Sequence, residues 1–411
     1  MKVAYYSPFP PERSGIADYS ALLFPALQQR LDLSAVRRGA RRPPRGTDVS
    51  LYHVGNNPDA HTWIVDALRR RPGVVVLHDF VLHHLVAGMT LGRGDADGYL
   101  DAMHRDGGTV GRLLAHGVVD KLLPPIWEER AQDFPLASFV LDRADALICH
   151  SRYVEGLARE YGYDGPISVL PMPAWPPVDV SGTRRLIPEG DAPVLTCVGY
   201  LNAAKRVPQL LQAFGRLRET IPEVGLVLAG SAAADVRLEL QTLGEGVLRL
   251  DHLEEHELWR LLADSDVCVS LRWPTMGETS GMAIRALSVG TPLVVSDVGW
   301  FSEIPDAVAA KIPVDELEVE TLVATLERLT SDAELRVRMG AAAAEYARQE
   351  HDLDRVADLY VVALEEGAGG TAVQEAVLHD VATAAGEVGF DMNDPELRDV
   401  ADRAREVGLG N

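Results

Sequence analysis

Residues 271–297 read LRWPTMGETSGMAIRALSVGTPLVVSD, and this stretch decides the fold. Ahead of it, residues 267–271 are short, apolar and β-branched enough for a buried parallel strand. Residues 276–279 offer a turn. From Gly281 onward, Met282, Ile284, Ala286, Leu287 and Val289 fall on a helical pattern, with Thr279 or Ser280 as N-cap. Gly290-Thr-Pro closes that helix and residues 293–296 resume a strand, so the loop lies at the carboxyl end of a parallel strand. Ligands of open α/β sheets bind at that edge. The N–H groups opening the helix attract phosphate, and Glu278 just ahead of them can accept hydrogen bonds from sugar hydroxyls.

Working outward, strand and helix alternate along most of the chain. Residues 3–6, 49–54, 74–78 and 144–149 predict strands, with helical patterns at 16–30, 62–70 and 110–123. PMPAWPP at 171–177 interrupts the alternation. A second block follows, with strands at 194–198, 225–229, 247–250, 267–271 and 293–296, a helix at 207–216 and a closing helix at 354–366. The expected organisation is an α/β chain of two Rossmann-like, doubly wound domains facing across a cleft. The first covers 1–172, a linker covers 173–192, and the second covers 193–366. A helical tail at 367–411 carries patterns at 372–385 and 395–407.

A chain of 411 residues suits two cores rather than one. With 47% hydrophobic and 24% charged residues and no apolar run of membrane-span length, the composition is that of a globular protein. The opening MKVAYYSPFP has too short an apolar run for a signal peptide, so a cytoplasmic location is expected. Cys149, Cys197 and Cys268 each sit in an apolar strand-like run and read as buried thiols. A net charge of −22 argues against nucleic acid as a general partner. The local exception is Arg37, Arg38, Arg41, Arg42 and Arg45, a solvated loop or a peripheral contact with anionic lipid or a phosphorylated acceptor.

Other strand ends carry candidate chemistry. Gly15 follows a Pro-rich loop after the first strand and allows backbone to come close to a ligand. His53 and the pair His78-Asp79 end two further strands, where a histidine is a useful donor near neutral pH. Lys205 and Arg206 lie in GYLNAAKR after the first strand of the second block, placed to neutralise a diphosphate. Three patterns read as decoys. In His252-Leu-Glu-Glu-His256 the helix begins near Glu254, which leaves His252 in the preceding turn and off the zinc-binding face. Asp95-Ala-Asp97 and Asp264-Ser-Asp266 read as a polar loop and a helix end.

Taken together, SGIADYS around Gly15, the GYLNAAKR loop, VLAGS at 227–231 with Gly230, and ETSGMAIRALSVGTPLVVSDVG resemble glycosyltransferase family 4 over roughly residues 1–365. The resemblance implies the GT-B fold, a nucleoside-diphosphate sugar donor, and a hydroxyl acceptor that is a small molecule, lipid or glycan. It also implies transfer with retained anomeric configuration, no metal and no cofactor, and a closing helix that crosses back onto the first domain. Its catalytic residues fall on His78, Lys205 and Glu278. Donor contacts fall on Gly15, Arg206, Gly230, Thr279, Ser280, Gly281 and Met282. Tyr200 stands where the family has an arginine, so Arg206 would supply that phosphate contact. Arg285 stands near the family's second, ribose-binding glutamate, so either it has another task or ribose is recognised differently. Glu303 fits either a family site motif or a helix-start acid. The readings left open beside a transferase are another enzyme on this architecture, such as a nucleotide-sugar epimerase or a phosphorylase, and a nucleotide-sugar-binding regulatory protein without turnover.

Overall fold

The structure, a computed structural model, describes residues 1–369 apart from Arg13, Arg41, Pro188, Glu189, Asp191, Leu238 and Thr242. The tail patterns expected at 372–385 and 395–407 lie outside the described residues.

The first sheet is built from β1 (Lys2–Tyr6), β2 (Asp32–Ala35), β3 (Val49–Val54), β4 (Gly73–Leu77), β5 (Ala144–Cys149) and β6 (Ile167–Val169). The second comprises β7 (Val194–Val198), β8 (Gly225–Ala229), β9 (Val247–Leu250), β10 (Val267–Ser270), β11 (Leu293–Ser296) and β12 (Ala309–Ile312). The ladders of both sheets run parallel. Helices cover both faces, which is why β3 and β10 are buried at every residue and read as largely apolar runs.

Strand order fixes where a ligand can sit. The first sheet runs β2-β1-β3-β4-β5-β6 and the second β12-β11-β10-β7-β8-β9. The direction of winding therefore reverses between β1 and β3 in one sheet and between β7 and β10 in the other. Loops leaving neighbouring strands diverge at such a reversal and open a crevice at the carboxyl edge.

The element expected from the opening stretch forms as read, a helix at Gly281–Val289. Ser280 caps it by accepting Ala283 N–H at 3.2 Å, and Gly290 ends it in the left-handed region at φ 78°. The segment after Leu170 departs from a plain linker. Met172 and Ile187 are buried in the core shared by both sheets, and Trp175 packs against it.

Residues 353–369 are helical and return to the first sheet, as the resemblance implied. Val356, Ala357 and Leu364 join Tyr19, Leu23 and Leu27 in one apolar cluster, and the Tyr19 and Tyr360 hydroxyls meet at 2.6 Å. On another flank the halves are joined through backbone. The Met276 carbonyl accepts N–H from Phe80 at 2.7 Å and from Val81 at 3.0 Å.

The Glu303 carboxylate accepts N–H from Arg152 at 3.1 Å and Tyr153 at 2.8 Å. It thereby caps the helix Arg152–Glu160 of the first half. Glu303 is a helix-start acid after all, but for a helix on the other side of the cleft. Glu303→Ala should lower unfolding stability by about 1 kcal/mol, the usual value of a lost cap, as read from urea midpoints. A variant as stable as the parent would show the cap to be replaced by water.

Candidate functional site

A cavity of about 880 Å³ lies where the carboxyl ends of the two sheets meet. That volume lies within the range of small-molecule sites. Much of its wall is made of loops that follow strands. Gly15 follows β1, Asn56 and Asn57 follow β3, His78 and Asp79 follow β4, and His150 follows β5. From the second sheet, Gly199 and Tyr200 follow β7, Gly230 and Ser231 follow β8, and Glu278 and Thr279 follow β10.

Bare backbone forms one part of the second-sheet wall. Gly199 and Gly230 have φ of 109° and 123°, and Gly199 N–H donates to the Ala229 carbonyl at 2.9 Å. A side chain at Gly230 would collide with the Gly199 carbonyl. Lys205 ends the short 3-10 turn Ala203–Lys205 and is only 7% exposed. Its Nζ donates to the Val198 carbonyl at 2.5 Å. A β-carbon at Gly199 would stand 2.7 Å from that Nζ and 3.5 Å from Met282 of the cavity wall. The glycine therefore leaves the ammonium within reach of the cavity. Burial, with Arg272 nearby, brings the Lys205 ammonium down from 10.5 to about 8.

Glu278 is held from three directions. Its Oε1 pairs with Arg272 Nε at 3.0 Å, and Oε2 accepts Thr275 Oγ1–H at 3.1 Å and Met276 N–H at 2.7 Å. Thr279 lines the cavity with a buried Oγ1 that has no hydrogen-bond partner among the described residues. Gly281 and Met282 line it too, at the end of a helix whose first N–H groups have no intrahelical acceptor. The Trp175 ring lies 3.1 Å from where a Gly281 β-carbon would stand, so a side chain there would press against it.

Arg285 is buried on the same wall. Its guanidinium lies 3.8 Å from the Trp175 ring centroid, and Nε pairs with Glu255 Oε1 at 3.4 Å. Asp18 of the first helix lies in its field. The position where the resemblance placed an acid thus presents a cation braced by two acids and an indole.

On the first-sheet wall His78 belongs to an aromatic cluster. His78 Nε2 meets His53 Nδ1 at 3.0 Å, while the rings of Tyr19 and His150 lie 4.9 and 5.4 Å away between centroids. Burial and the neighbouring imidazoles hold His78 and His53 well below the usual histidine range. Burial brings His61 and His150 to about 4. At neutral pH these rings are uncharged and bind through ring nitrogens rather than as cations.

Of the residues expected at the site, Gly15, His78, Gly230, Glu278, Thr279, Gly281 and Met282 lie on the cavity wall. Ser280 sits behind it as the helix cap, and Lys205 sits beneath Gly199. Arg206 departs from expectation. It begins the helix Val207–Thr220 with φ 55°, and its guanidinium is paired with Glu318, Nε to Oε1 at 2.9 Å. The arginine beside Lys205 and Glu278 is Arg272 instead, at the end of β10. Asp79 and Trp175 were likewise unassigned. Asp79 was visible as the neighbour of His78 at a strand's end. Trp175 gave no signal within its proline run.

The decoys resolve as structure. Glu254 and Glu257 form a capping box for the helix Glu255–Asp264, which leaves His252 in the preceding turn. Asp95 caps another helix, and Asp266 accepts Val194 N–H at 2.9 Å. Among the described residues no three His, Cys, Asp or Glu side chains gather to hold a metal ion.

Residues 184–346 match the family model described as "Glycosyl transferases group 1". The chain is 30% identical to the glycogen synthase of Mycobacterium tuberculosis over 168 residues, 40% of this chain and 40% of that relative. It is 28% identical to the D-inositol 3-phosphate glycosyltransferase of Stackebrandtia nassauensis over 255 residues, 56% of each. The match thus spans about half the length of these curated relatives. Among solved structures, Anabaena HepE in complex with UDP and glucose superposes with a TM-score of 0.59 at 14% identity, covering 89% of this chain and 99% of that one. Sucrose-phosphate synthase from Thermosynechococcus elongatus gives 0.57 at 18%, covering 94% and 100%. At such identities the likeness speaks for the fold, which is the two-domain GT-B arrangement of glycosyltransferases.

Proposed function

We propose that this chain, whose second half carries a glycosyl transferases group 1 domain, moves a sugar from a nucleoside-diphosphate sugar to a hydroxyl of a small-molecule, lipid or glycan acceptor. The observation that carries this reading is the junction after β10. There Glu278, Thr279 and the opening amides of the helix Gly281–Val289 face one cavity, with Lys205 and Arg272 alongside. Amides and cations suit the diphosphate, and Glu278 suits sugar hydroxyls.

In transfer, the bond from the anomeric carbon to the diphosphate oxygen breaks and its electron pair leaves with the diphosphate. Lys205, Arg272 and the helix amides are set to stabilise that charge without reorganising, and without a divalent cation. The acceptor hydroxyl gives up its proton to a base in the cleft as its oxygen bonds to the anomeric carbon on the face the diphosphate leaves, so configuration is retained and the family 4 type of chemistry follows. Holding both reactants in one cleft supplies much of the remaining acceleration.

The free, buried state of Cys149, Cys197 and Cys268 supports a cytoplasmic setting. Among the described residues no helix is long and apolar enough to cross a membrane. The exposed Arg37, Arg38, Arg42 and Arg45 suit a peripheral contact with anionic lipid or a phosphorylated acceptor. Tyr200 and Arg285, which replace the family's arginine and glutamate, favour a second reading as a sugar-nucleotide sensor without turnover.

Thermal melting against UDP, GDP and ADP tests the donor site. One of them should raise the melting temperature, because a ligand that binds only the native state stabilises it. No shift with any of the three would sink the nucleotide-sugar reading. Slow release of free sugar from the matching donor would then separate the transferase from the sensor.

A further inference from the structure

Asp79 follows β4 and lies on the cavity wall. Its Oδ2 accepts Asn56 N–H at 2.8 Å, while Oδ1 has no hydrogen-bond partner among the described residues. The Asn56 side chain is itself fixed, its Oδ1 accepting Leu85 N–H at 3.2 Å. The carboxyl is therefore aimed rather than free to swing. The next segment, Phe80 and Val81, is tied to the Met276 carbonyl, which brings Asp79 beside Glu278 across the cleft.

The other ionisable groups facing this point are already engaged. Glu278 Oε2 accepts two hydrogen bonds, and Oε1 is paired in charge with Arg272. Asp18 sits in the field of Arg285. His61, His78 and His84 all lie below the usual histidine range, which makes them weak proton acceptors. Glu12 and Asp18 line the cavity as well, Glu12 beside Arg38 and Asp18 beside Arg285, whereas Asp79 is the carboxyl beside Glu278 and has an oxygen to spare.

We propose that the Asp79 carboxylate is the base that takes the acceptor hydroxyl's proton, an inference that rests on the transferase reading above. The O–H bond of the acceptor breaks and its proton passes to Asp79 Oδ1. The acceptor oxygen bonds to the anomeric carbon, and the diphosphate departs with the electron pair of the broken C–O bond. The proton then returns to solvent. Burial first, and the Glu278 charge second, push the Asp79 carboxyl up from 3.8 to about 7, against the pull of Asn56 N–H and Arg272. A base of that strength is matched to work near neutral pH. The rival base is an oxygen of the departing diphosphate.

The full-length chain would be assayed with UDP-glucose, GDP-mannose and ADP-glucose, water serving as acceptor, and sugar release followed from pH 5 to 9. The parent rate should rise with pH about a midpoint near 7, since the ionised form is the active one. Asp79→Asn should be roughly 100-fold slower and lose that midpoint, the usual scale of a lost general base. Asp79→Glu should keep a rising limb with a displaced midpoint. Nucleotide-induced melting shifts should be the same in all three, which reports folding and donor binding separately. If Asp79→Asn keeps the parent's rate and midpoint, the diphosphate is the base and the assignment is overturned. Should Asp79→Asn fail to fold, an unmoved midpoint in Asp79→Glu overturns it equally. If the parent binds a nucleotide but cleaves none of the donors, the transferase reading falls and takes this inference with it.

Discussion

Glu278→Gln is expected to slow sugar transfer about 100-fold or more while the unfolding midpoint in urea moves little. The amide keeps the shape of the carboxylate and can still accept Met276 N–H, now at 2.7 Å, so the turn is preserved. What disappears is a negative charge opposite Arg272 at 3.0 Å and a strong acceptor for sugar hydroxyls. With Arg272 released and Lys205 close by, the variant presents excess positive charge where the diphosphate is to sit. It should hold the nucleotide at least as tightly as the parent and turn over far more slowly. Removal of one preorganised electrostatic group typically costs about two to three orders of magnitude in rate. Initial rates and nucleotide-induced melting shifts, measured side by side, separate the two effects. Undiminished transfer by this variant would remove the main support for the catalytic assignment.

The second large effect is on the fold. Gly230→Ala forces a side chain onto a residue with φ 123° and into the carbonyl of Gly199. Neither strand can give way freely, because Gly230 N–H is bonded to the Leu250 and Asp251 carbonyls at 3.0 and 2.8 Å. Backbone strain of this kind costs about 1–3 kcal/mol alone, and the collision adds to it. A loss of roughly 3 kcal/mol or more is expected in equilibrium unfolding. Gly15→Ala provides the contrast, since no atom lies within 4 Å of the position its β-carbon would take. Equal stability of the two variants would mean that the Gly199 and Gly230 loops do not touch as described.

What could be read from sequence follows from how completely each element is buried. β3, β7, β8, β10 and β11 lie inside their sheets, and their apolar runs mark them within a residue. β2, β6 and β12 escaped notice. They are edge strands, and sequences such as DLSA and AAKI carry neither an unbroken apolar run nor a clean alternation. The Glu278 loop was legible because its helix, cap and carboxylate are adjacent in sequence. Arg206 was misplaced for the opposite reason, since the acid that claims it, Glu318, lies 112 residues away. Asp79 likewise owes its raised affinity for a proton first to burial and then to Glu278 on the other sheet, neither of which a local pattern reveals.

The joints between the two halves include four main-chain donors, those of Phe80, Val81, Arg152 and Tyr153. The three oxygens that receive them lie on two groups, the Met276 carbonyl and the Glu303 carboxylate, so all four bonds depend on two residues of the second half. Water can replace each bond at about 1 kcal/mol, so these four joints together contribute only a few kcal/mol to holding the halves side by side. A molecule that touches both halves at once adds its own contacts to those joints and to the apolar cluster the halves already share.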